Sequence, residues 1–382
     1  MRMPTERQVQ KYLQDSSKTK GRKIAIEYFG PLSDYGSKEA DRPKEIKKLG
    51  YGLPYLIAYK DGAKTKKAIL STMRIGHGFG HDYRADRVDN QVLAFDTWNH
   101  LPKHCRVDDL GVFNHSDSSM LSLGNSGEFF LLRKMVAGAE YASDLNRIFD
   151  SGTLEQRDVL RARALARYLV EIHKTKYSGE EKDALYHRKL RDTVGHGECI
   201  FGLADSYPLS NLDFLKTDEL EDIEKKCVAQ RWKLKKYSSR LSQVHGDFHP
   251  WNILFTKNSK NFINFNLLDR SRGEWGEPAD DVCALSIYYL FYSIRKYGEI
   301  RGEFLELFDE FLNTYTAGAS DEVLLEAMPL FFAFRALVIA SPIWYPDLSS
   351  ENRRKIFDFT QNLLDAGSFD RTKLSAYFGG SR

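Results

Sequence analysis

The chain has little of what marks secreted or membrane-embedded proteins. It holds four cysteines in 382 residues, at Cys105, Cys199, Cys227 and Cys283, and this spacing forms neither a CxxC pair nor a short disulfide framework. No apolar run reaches membrane-spanning length, and the charged stretch 1–23 lacks the apolar core of a signal peptide. We therefore expect a cytoplasmic protein with reduced thiols and no membrane partner.

A surplus of charge of one sign is also lacking. The 56 basic and 53 acidic residues leave a formal net charge of only +3 and are mixed along the chain, which argues against a nucleic-acid partner. A hydrophobic content of 42% and a charged content of 29% are typical of a soluble globular protein. The length suffices for two lobes, and nothing in the sequence indicates an oligomeric state.

The most informative stretch is Val244–Phe255, which reads VHGDFHPWNILF, together with Asp269 at the end of a later apolar run. It sets a carboxylate, Asp247, five residues before an amide, Asn252. A carboxylate can accept the proton of an attacking hydroxyl, and amide and carboxylate oxygens are hard ligands suited to Mg²⁺. This order is typical of a phosphoryl-transfer site, with Asp247 as catalytic base and with Asn252 and Asp269 holding magnesium on the ATP phosphates.

A structural interpretation of the same residues has to be weighed. Asp247 and Asn252 could make turn hydrogen bonds, with Asp269 capping a strand. One such turn is common, but the ordered set of three groups is not, so we favour the chemical interpretation. His245 is expected to brace the loop backbone, whereas His249 could equally contact a phosphate or support the loop.

These residues resemble the HGDxxxxN loop of the aminoglycoside phosphotransferase and choline-kinase-like family, which is related to the protein kinases. The later stretch Gly276–Asp281 is similar to a second segment of that family. The resemblance implies an α+β, bilobal, protein-kinase-like fold, with a small β-rich N-terminal lobe and a larger, mostly helical C-terminal lobe. It also implies ATP and Mg²⁺ as cofactors, Asp247 as catalytic base, and Asp281 as a structural carboxylate that braces the loop.

Local sequence patterns divide the chain in the same way. Strands are predicted at Tyr55–Tyr59, Lys67–Arg74 and 129–135, with a hairpin turn at Asp61-Gly62 and a turn over 50–54. Helical periodicity is found at Arg84–His100, Asp158–His173, Lys216–Tyr237, Asp280–Tyr297, Glu303–Tyr315, Glu322–Ile339 and Glu351–Leu364. We expect an N-terminal nucleotide-binding lobe over 1–137, with 1–44 as a peripheral extension. A helical C-terminal lobe over 138–382 would carry the catalytic segment 244–269 and the acceptor site.

The nucleotide side departs from the family pattern. Gly50 and Gly52 are candidates for a glycine-rich hairpin that covers the phosphates, although a plain hairpin would look the same. Ser71 stands where a third-strand lysine is expected, and Arg74 is the best substitute because an arginine fork can hold phosphate oxygens at two points. A solvated arginine at a strand end is the alternative.

Two further elements on this side are less specific. The predicted strand 129–135 resembles a hinge that receives adenine through its backbone, which makes Leu132 and Lys134 candidate nucleotide contacts; an ordinary buried strand is the alternative. The glycine cluster Gly76–Gly80 could close on phosphates, or it could be a simple connection.

The sequence thus predicts a kinase that moves the γ-phosphate of ATP to a hydroxyl of a small-molecule acceptor. The alternative is a non-catalytic, nucleotide-binding regulator on a kinase-like scaffold, which the missing third-strand lysine motivates. A protein acceptor is disfavoured because the segment from Asp269 to Pro278 is short for a regulated activation segment. The identity of the acceptor and the choice of ATP over GTP are left open.

Overall fold

The computed structural model describes residues 3–15, 23–35, 52–75, 79–114, 116–208, 210–256 and 263–379. The chain separates into two compact units, Met1–Arg133 and Lys134–Arg382. Gly50 and three residues of the predicted glycine cluster, 76–78, lie outside the described residues.

The strands, in chain order, are β1 (Ile24–Pro31), β2 (Gly52–Asp61), β3 (Lys64–Met73), β4 (Gly111–Phe113), β5 (Met120–Ser122), β6 (Ala139–Glu140), β7 (Ser242–Gln243), β8 (Ile253–Phe255), β9 (Phe265–Leu267) and β10 (Trp275–Gly276). The helices are α1 (Glu6–Asp15), α2 (Arg84–Thr97), α3 (Tyr141–Ser151), α4 (Gln156–His173), α5 (Lys182–Gly195), α6 (Ile200–Asp205), α7 (Thr217–Leu234), α8 (Pro278–Tyr297), α9 (Gly302–Ala319), α10 (Leu324–Ile339), α11 (Ser350–Ala366) and α12 (Leu374–Tyr377). A mixed α+β protein with a strand-rich first part and a mostly helical second part is therefore confirmed.

The main sheet of the first unit is antiparallel, with β2 between β1 and β3. The predicted hairpin is confirmed: Asp61 pairs with Lys64, and Gly62 has a φ of +64°, a conformation that suits a residue without Cβ. Two expectations are wrong. Gly52 begins β2 and pairs with Met73 instead of lying in a turn, because β3 is long enough to pair with it. Strand β1 belongs to the sheet, although it falls within the stretch 1–44 predicted to be peripheral.

The predicted strand 129–135 is also wrong. These residues have no strand conformation, and the side chains of Phe130 and Leu131 are 87% and 94% exposed. An apolar run forms a strand only where a neighbouring strand supplies ladder hydrogen bonds. No described strand pairs with this segment.

The core of the second unit lies around α8. Seventeen residues of α8, Pro278 to Ile294, are buried, and α8 packs against α9 and α10 while α4 packs against α9. Glu277 caps its N-terminus by accepting from the Ala279 N–H, and Gly298 ends it in the left-handed conformation. The helices predicted in this unit are confirmed, with shifts of a few residues at their ends. Among the described helices, none combines the length and apolarity needed to cross a membrane.

Two small sheets hold the segment 244–269 in this unit. Strand β8 lies between β6 and β9, with Ile253 opposite Leu267, and the Leu268 N–H donates to the Asn252 carbonyl at 2.9 Å. Strand β7 pairs with β10 in antiparallel fashion. The loop 245–252 therefore runs from one small sheet to the other, and both of its ends are fixed.

Candidate active site

The loop 245–252 has a tight backbone that its sequence favours. Gly246 has a φ of +88°, a conformation that favours glycine, and a Cβ there would make a tight contact of 3.2 Å with the Cβ of Arg272. Pro250 opens a short 3-10 turn that ends at Asn252. The Asn252 side-chain amide then donates back to the Asp247 carbonyl at 3.0 Å, which closes the loop and sets both predicted residues on it.

Asp281 holds the loop from beneath. Its carboxylate accepts from the backbone N–H of His245 at 2.8 Å and of Gly246 at 2.7 Å, and His173 Nε2 lies 3.2 Å away. Burial would raise the pKa of this fully buried group, but hydrogen bonds from His173 and the loop outweigh it, so the pKa of Asp281 is lowered. The carboxylate is thus a fixed anion on the first turn of α8. This is the bracing contact that the family resemblance implied.

His245 ties the loop to the strand that precedes Asp269. Its Nε2 donates to the Leu268 carbonyl at 2.9 Å, and its Nδ1 accepts from the Asp247 N–H at 3.2 Å. Burial lowers the pKa of His245 despite nearby carboxylates. A neutral ring with one donor and one acceptor fits both contacts, so His245 has the bracing geometry that the sequence predicted.

Asp247 lies above this braced backbone, with its side chain 16% exposed. Arg335 Nη1 donates to Oδ1 at 2.5 Å, and His249 Nε2 lies 3.5 Å from Oδ2. Burial alone would raise the pKa of Asp247, but the polar contact with His249 and the charges of Arg335 and Arg272 hold it well below its ordinary value. The group is an ionised carboxylate with one oxygen engaged by arginine, and it can orient a hydroxyl and accept its proton.

Arg335 is the residue of this site that the sequence did not reveal. It lies on the apolar helix α10 and is 5% exposed. Its Nη2 donates to the Gly246 carbonyl at 3.2 Å and to Asp280 Oδ1 at 2.7 Å, and Lys189 lies 3.7 Å from the other oxygen of Asp280. In the sequence it is noticeable only as a charge that interrupts an apolar run. A buried charge in a helix core requires a charged partner, and that was the available signal.

The two predicted magnesium ligands lie at one end of the β8–β9 hairpin. Asn252 pairs with Leu268 through the backbone, and Asp269 is the next residue. The Asn252 amide nitrogen is bound to the loop, so its oxygen is the atom suited to a hard cation. Asp269 is exposed, has a left-handed φ of +52°, and accepts from the Ser271 N–H at 3.0 Å. Within the described residues no group of three or more His, Cys, Asp or Glu could hold a metal.

The two arginines after Asp269 have different environments. Arg270 donates to the Val244 carbonyl at 2.9 and 3.1 Å and to the Glu274 carbonyl at 3.3 Å, which is a backbone-supporting role. Arg272 lies with its guanidinium 4.9 Å from the Phe334 ring centre, and its charge acts on Asp247. Of the two, Arg272 is therefore the one whose charge reaches the candidate base.

An aromatic cluster adjoins the loop. The ring centres of Trp251 and Tyr288 are 5.2 Å apart, and the hydroxyls of Tyr288 and Tyr345 are 3.0 Å apart. Tyr345 comes from α10's C-terminal side, in the aromatic-rich stretch 342–346. Its ring also packs on Phe291. The rings of Trp251 and Tyr288 lie 5.9 and 6.4 Å from that of His249, so this cluster forms an aromatic wall beside His249.

Gly52, Arg74, Leu132 and Lys134, the predicted nucleotide residues that the structure describes, are exposed. Gly52 is the first residue of β2, with no atom within 4 Å of a Cβ placed there, and Arg74 directly follows β3. Ser71 lies within β3 opposite Pro54. Leu132 is 96% exposed and Lys134 is also exposed, outside any strand. Nucleotide binding by Gly50, Gly52, Arg74, Leu132 and Lys134 stays a prediction.

Part of the chain matches a known protein family. A model described as the phosphotransferase enzyme family (APH) matches residues 122–271, the part of the chain that contains loop 245–252 and Asp269. The match covers less than half of the chain. It confirms, for this segment, the family resemblance that the HGDxxxxN loop indicated, and it supports a small-molecule phosphotransferase.

Solved structures similar to this chain include a choline/ethanolamine kinase family protein from Mesorhizobium loti, at 13% identity and a TM-score of 0.35, covering 98% of this chain and 97% of that one. An ethanolamine kinase from Plasmodium vivax has 13% identity and a TM-score of 0.37, with 85% and 82% covered. A choline kinase from Streptococcus pneumoniae has 11% identity and a TM-score of 0.33, with 94% and 99% covered. No curated protein matches the chain. Identities this low leave the acceptor open.

Proposed function

We propose that this protein is a small-molecule kinase that transfers the γ-phosphate of ATP to a hydroxyl of its acceptor. The observation that carries the proposal is Asp247: an ionised carboxylate, held on a loop that Asp281 and His245 brace, with Asn252 closing the loop behind it. Such a group has the charge and the fixed position that phosphoryl transfer asks of its hydroxyl-orienting residue.

The chemistry follows from which oxygen of Asp247 is available. Oδ1 is engaged by Arg335, whereas the neighbour of Oδ2, His249 Nε2, is 3.5 Å away. Oδ2 would therefore accept a hydrogen bond from the acceptor hydroxyl and, as the bond to phosphorus forms, its proton. The transition state of such transfers is loose, so the proton moves late and a carboxylate of low pKa suffices to orient the oxygen. The wall of Trp251, Tyr288 and Tyr345 would exclude water on one side.

The oxygens of Asn252 and Asp269 fit magnesium by their chemistry, and they would hold it. A bound Mg²⁺ supplies charge neutralisation on the phosphates. Gly52 and Arg74, with Gly50, Leu132 and Lys134, are our candidates for the nucleotide contacts. Arg74 would take the part of the third-strand lysine that Ser71 replaces, through the two-point hold of its guanidinium.

A phosphorylation screen tests this proposal. The purified protein is incubated with ATP and Mg²⁺ and with a metabolite library of sugars, amino alcohols and aminoglycosides, with Asp247→Ala as the blank. We expect acceptor-dependent ATP consumption by the wild type and none by Asp247→Ala, while calorimetry shows that both bind ATP. Absence of turnover with every acceptor, or turnover retained by Asp247→Ala, would contradict it.

The alternative, a nucleotide-binding regulator, is favoured by Ser71 in the place of lysine. It predicts ATP binding in calorimetry without turnover in the same screen. The two functions are thus separated by one pair of measurements on the same sample.

A further inference from the structure

Arg335 is an unusual feature of the second unit because a guanidinium is buried in an apolar helix. Thirteen of the sixteen residues of α10 are buried, and Arg335 is the basic residue among them. Moving a charged group from water into such surroundings costs several kcal/mol unless charged partners and hydrogen bonds compensate it. The partners that compensate the charge of Arg335 therefore indicate its role.

Those partners all belong to the catalytic segment or to its support. One guanidinium nitrogen, Nη1, donates to Asp247 Oδ1 at 2.5 Å, while Nη2 donates to the Gly246 carbonyl at 3.2 Å and to Asp280 Oδ1 at 2.7 Å. One rigid fork therefore holds both the side chain of Asp247 and the backbone just before it. That fixes the carboxylate relative to its own main chain, which a single point charge would not do.

The loop is held from two directions by consecutive residues of α8. Asp281 accepts the N–H groups of His245 and Gly246 directly. Asp280 acts on the carbonyl side of Gly246 through Arg335, and it is itself buried and 3.7 Å from Lys189. Arg335 thus completes a connection from the first turn of α8 to the carboxylate of Asp247.

We propose that Arg335 is a positioning residue for phosphoryl transfer, which clamps Asp247 Oδ1 and the Gly246 carbonyl so that Oδ2 faces the acceptor hydroxyl. The inference rests on the proposed function of Asp247. Because misplacement of a reacting group by about 1 Å can cost about 100-fold in rate, loss of the clamp should lower kcat while leaving the binding of substrates nearly intact.

Three variants of the full chain test the role of Arg335. Arg335→Met removes both charge and fork, and Arg335→Lys keeps the charge without the fork. Arg354→Met is the matched control, since Arg354 also joins two acids, Glu219 and Asp358, neither of which is in the loop. Steady-state kcat and KM for ATP and for the acceptor found in the screen are measured, together with Tm.

We expect kcat to fall about 100-fold in Arg335→Met and less in Arg335→Lys, with both KM values within about threefold of the wild type. Arg354→Met should leave both constants unchanged. A kcat equal to the wild type in both Arg335 variants would overturn the inference, as would a raised acceptor KM with unchanged kcat, which would make Arg335 a substrate ligand.

A further variant, Asp280→Asn, tests the inference if Arg335→Met does not fold. Asp280→Asn is nearly isosteric and removes the charge that anchors the other end of the fork, so kcat should fall by about 10-fold with KM unchanged. If Asp280→Asn and Arg335→Lys both have the wild-type kcat, the inference is wrong. Absence of turnover by the wild type itself is a different outcome, because it contradicts the proposed function and not the clamp.

Discussion

The loop 245–252 in the second unit and the candidate nucleotide residues of the first unit differ in how they are held. Asp247 is fixed by Arg335 and its loop by Asp281 and His245, and these three partners are buried. Arg74 and Gly52 lie at exposed ends of strands. The position of Asp247 is set by the fold itself. The side chain of Arg74, at an exposed strand end, would be fixed only by a ligand that binds it.

The largest expected effect is that of removing the charge of Asp247. Asp247→Asn keeps the size of the side chain but cannot accept a proton, so kcat should fall by about 100- to 10,000-fold. The Kd for ATP, measured by calorimetry, should stay within about threefold, because no nucleotide contact is assigned to this group. A large rise in that Kd with unchanged kcat would mean that Asp247 binds the nucleotide. The loop 245–252 and the candidate nucleotide residues would then not differ in function.

The second effect concerns the support of the loop. Asp281→Asn leaves two loop N–H groups and His173 facing a neutral amide in a fully buried place. Breaking such a buried network costs about 3 kcal/mol of the free energy of unfolding, which urea titration followed by circular dichroism can measure. Glu351→Gln, which removes the charge of an exposed ion pair with Lys355 on α11, is the matched control and should leave the free energy of unfolding essentially unchanged. Equal effects of the two substitutions would mean that Asp281 does not brace the loop.

The pH dependence of this effect has a definite sign. Because the pKa of Asp281 is lowered in the folded protein, its ionised form stabilises the fold at pH values above about 3.9, the ordinary value in an unfolded chain. That stabilisation is lost as the pH falls from there through the folded pKa. The difference in Tm between the wild type and Asp281→Asn should therefore be constant above about pH 5 and narrow below about pH 4. A difference that widens toward low pH would contradict the lowered pKa.

The same comparison explains what sequence reasoning could reach. The types and order of Asp247, Asn252 and Asp269 predict the candidate site, and periodicity predicts the helices that the structure has in the second unit. Arg335 lies 88 residues from Asp247 along the chain, so no local pattern joins the two, and only the packing of α10 against α8 brings them together. The prediction for the segment 129–135 is wrong because an apolar run does not show whether a pairing strand is present. Strand β1 directly follows the charged stretch 1–23 and lies within the part of the chain that was expected to be peripheral.

The smallest expected effect on stability concerns Arg74 and tests whether this residue binds the nucleotide. Arg74→Gln should leave the free energy of unfolding within about 0.5 kcal/mol of the wild type, since Arg74 is exposed at the end of β3. If its fork holds phosphate, the Kd for ATP should rise about 10-fold, in line with the loss of one charge-assisted contact. Lys67→Gln, also on β3, is the control, and it should leave the Kd unchanged. Equal Kd values for both variants and the wild type would make Arg74 a solvated strand-end residue.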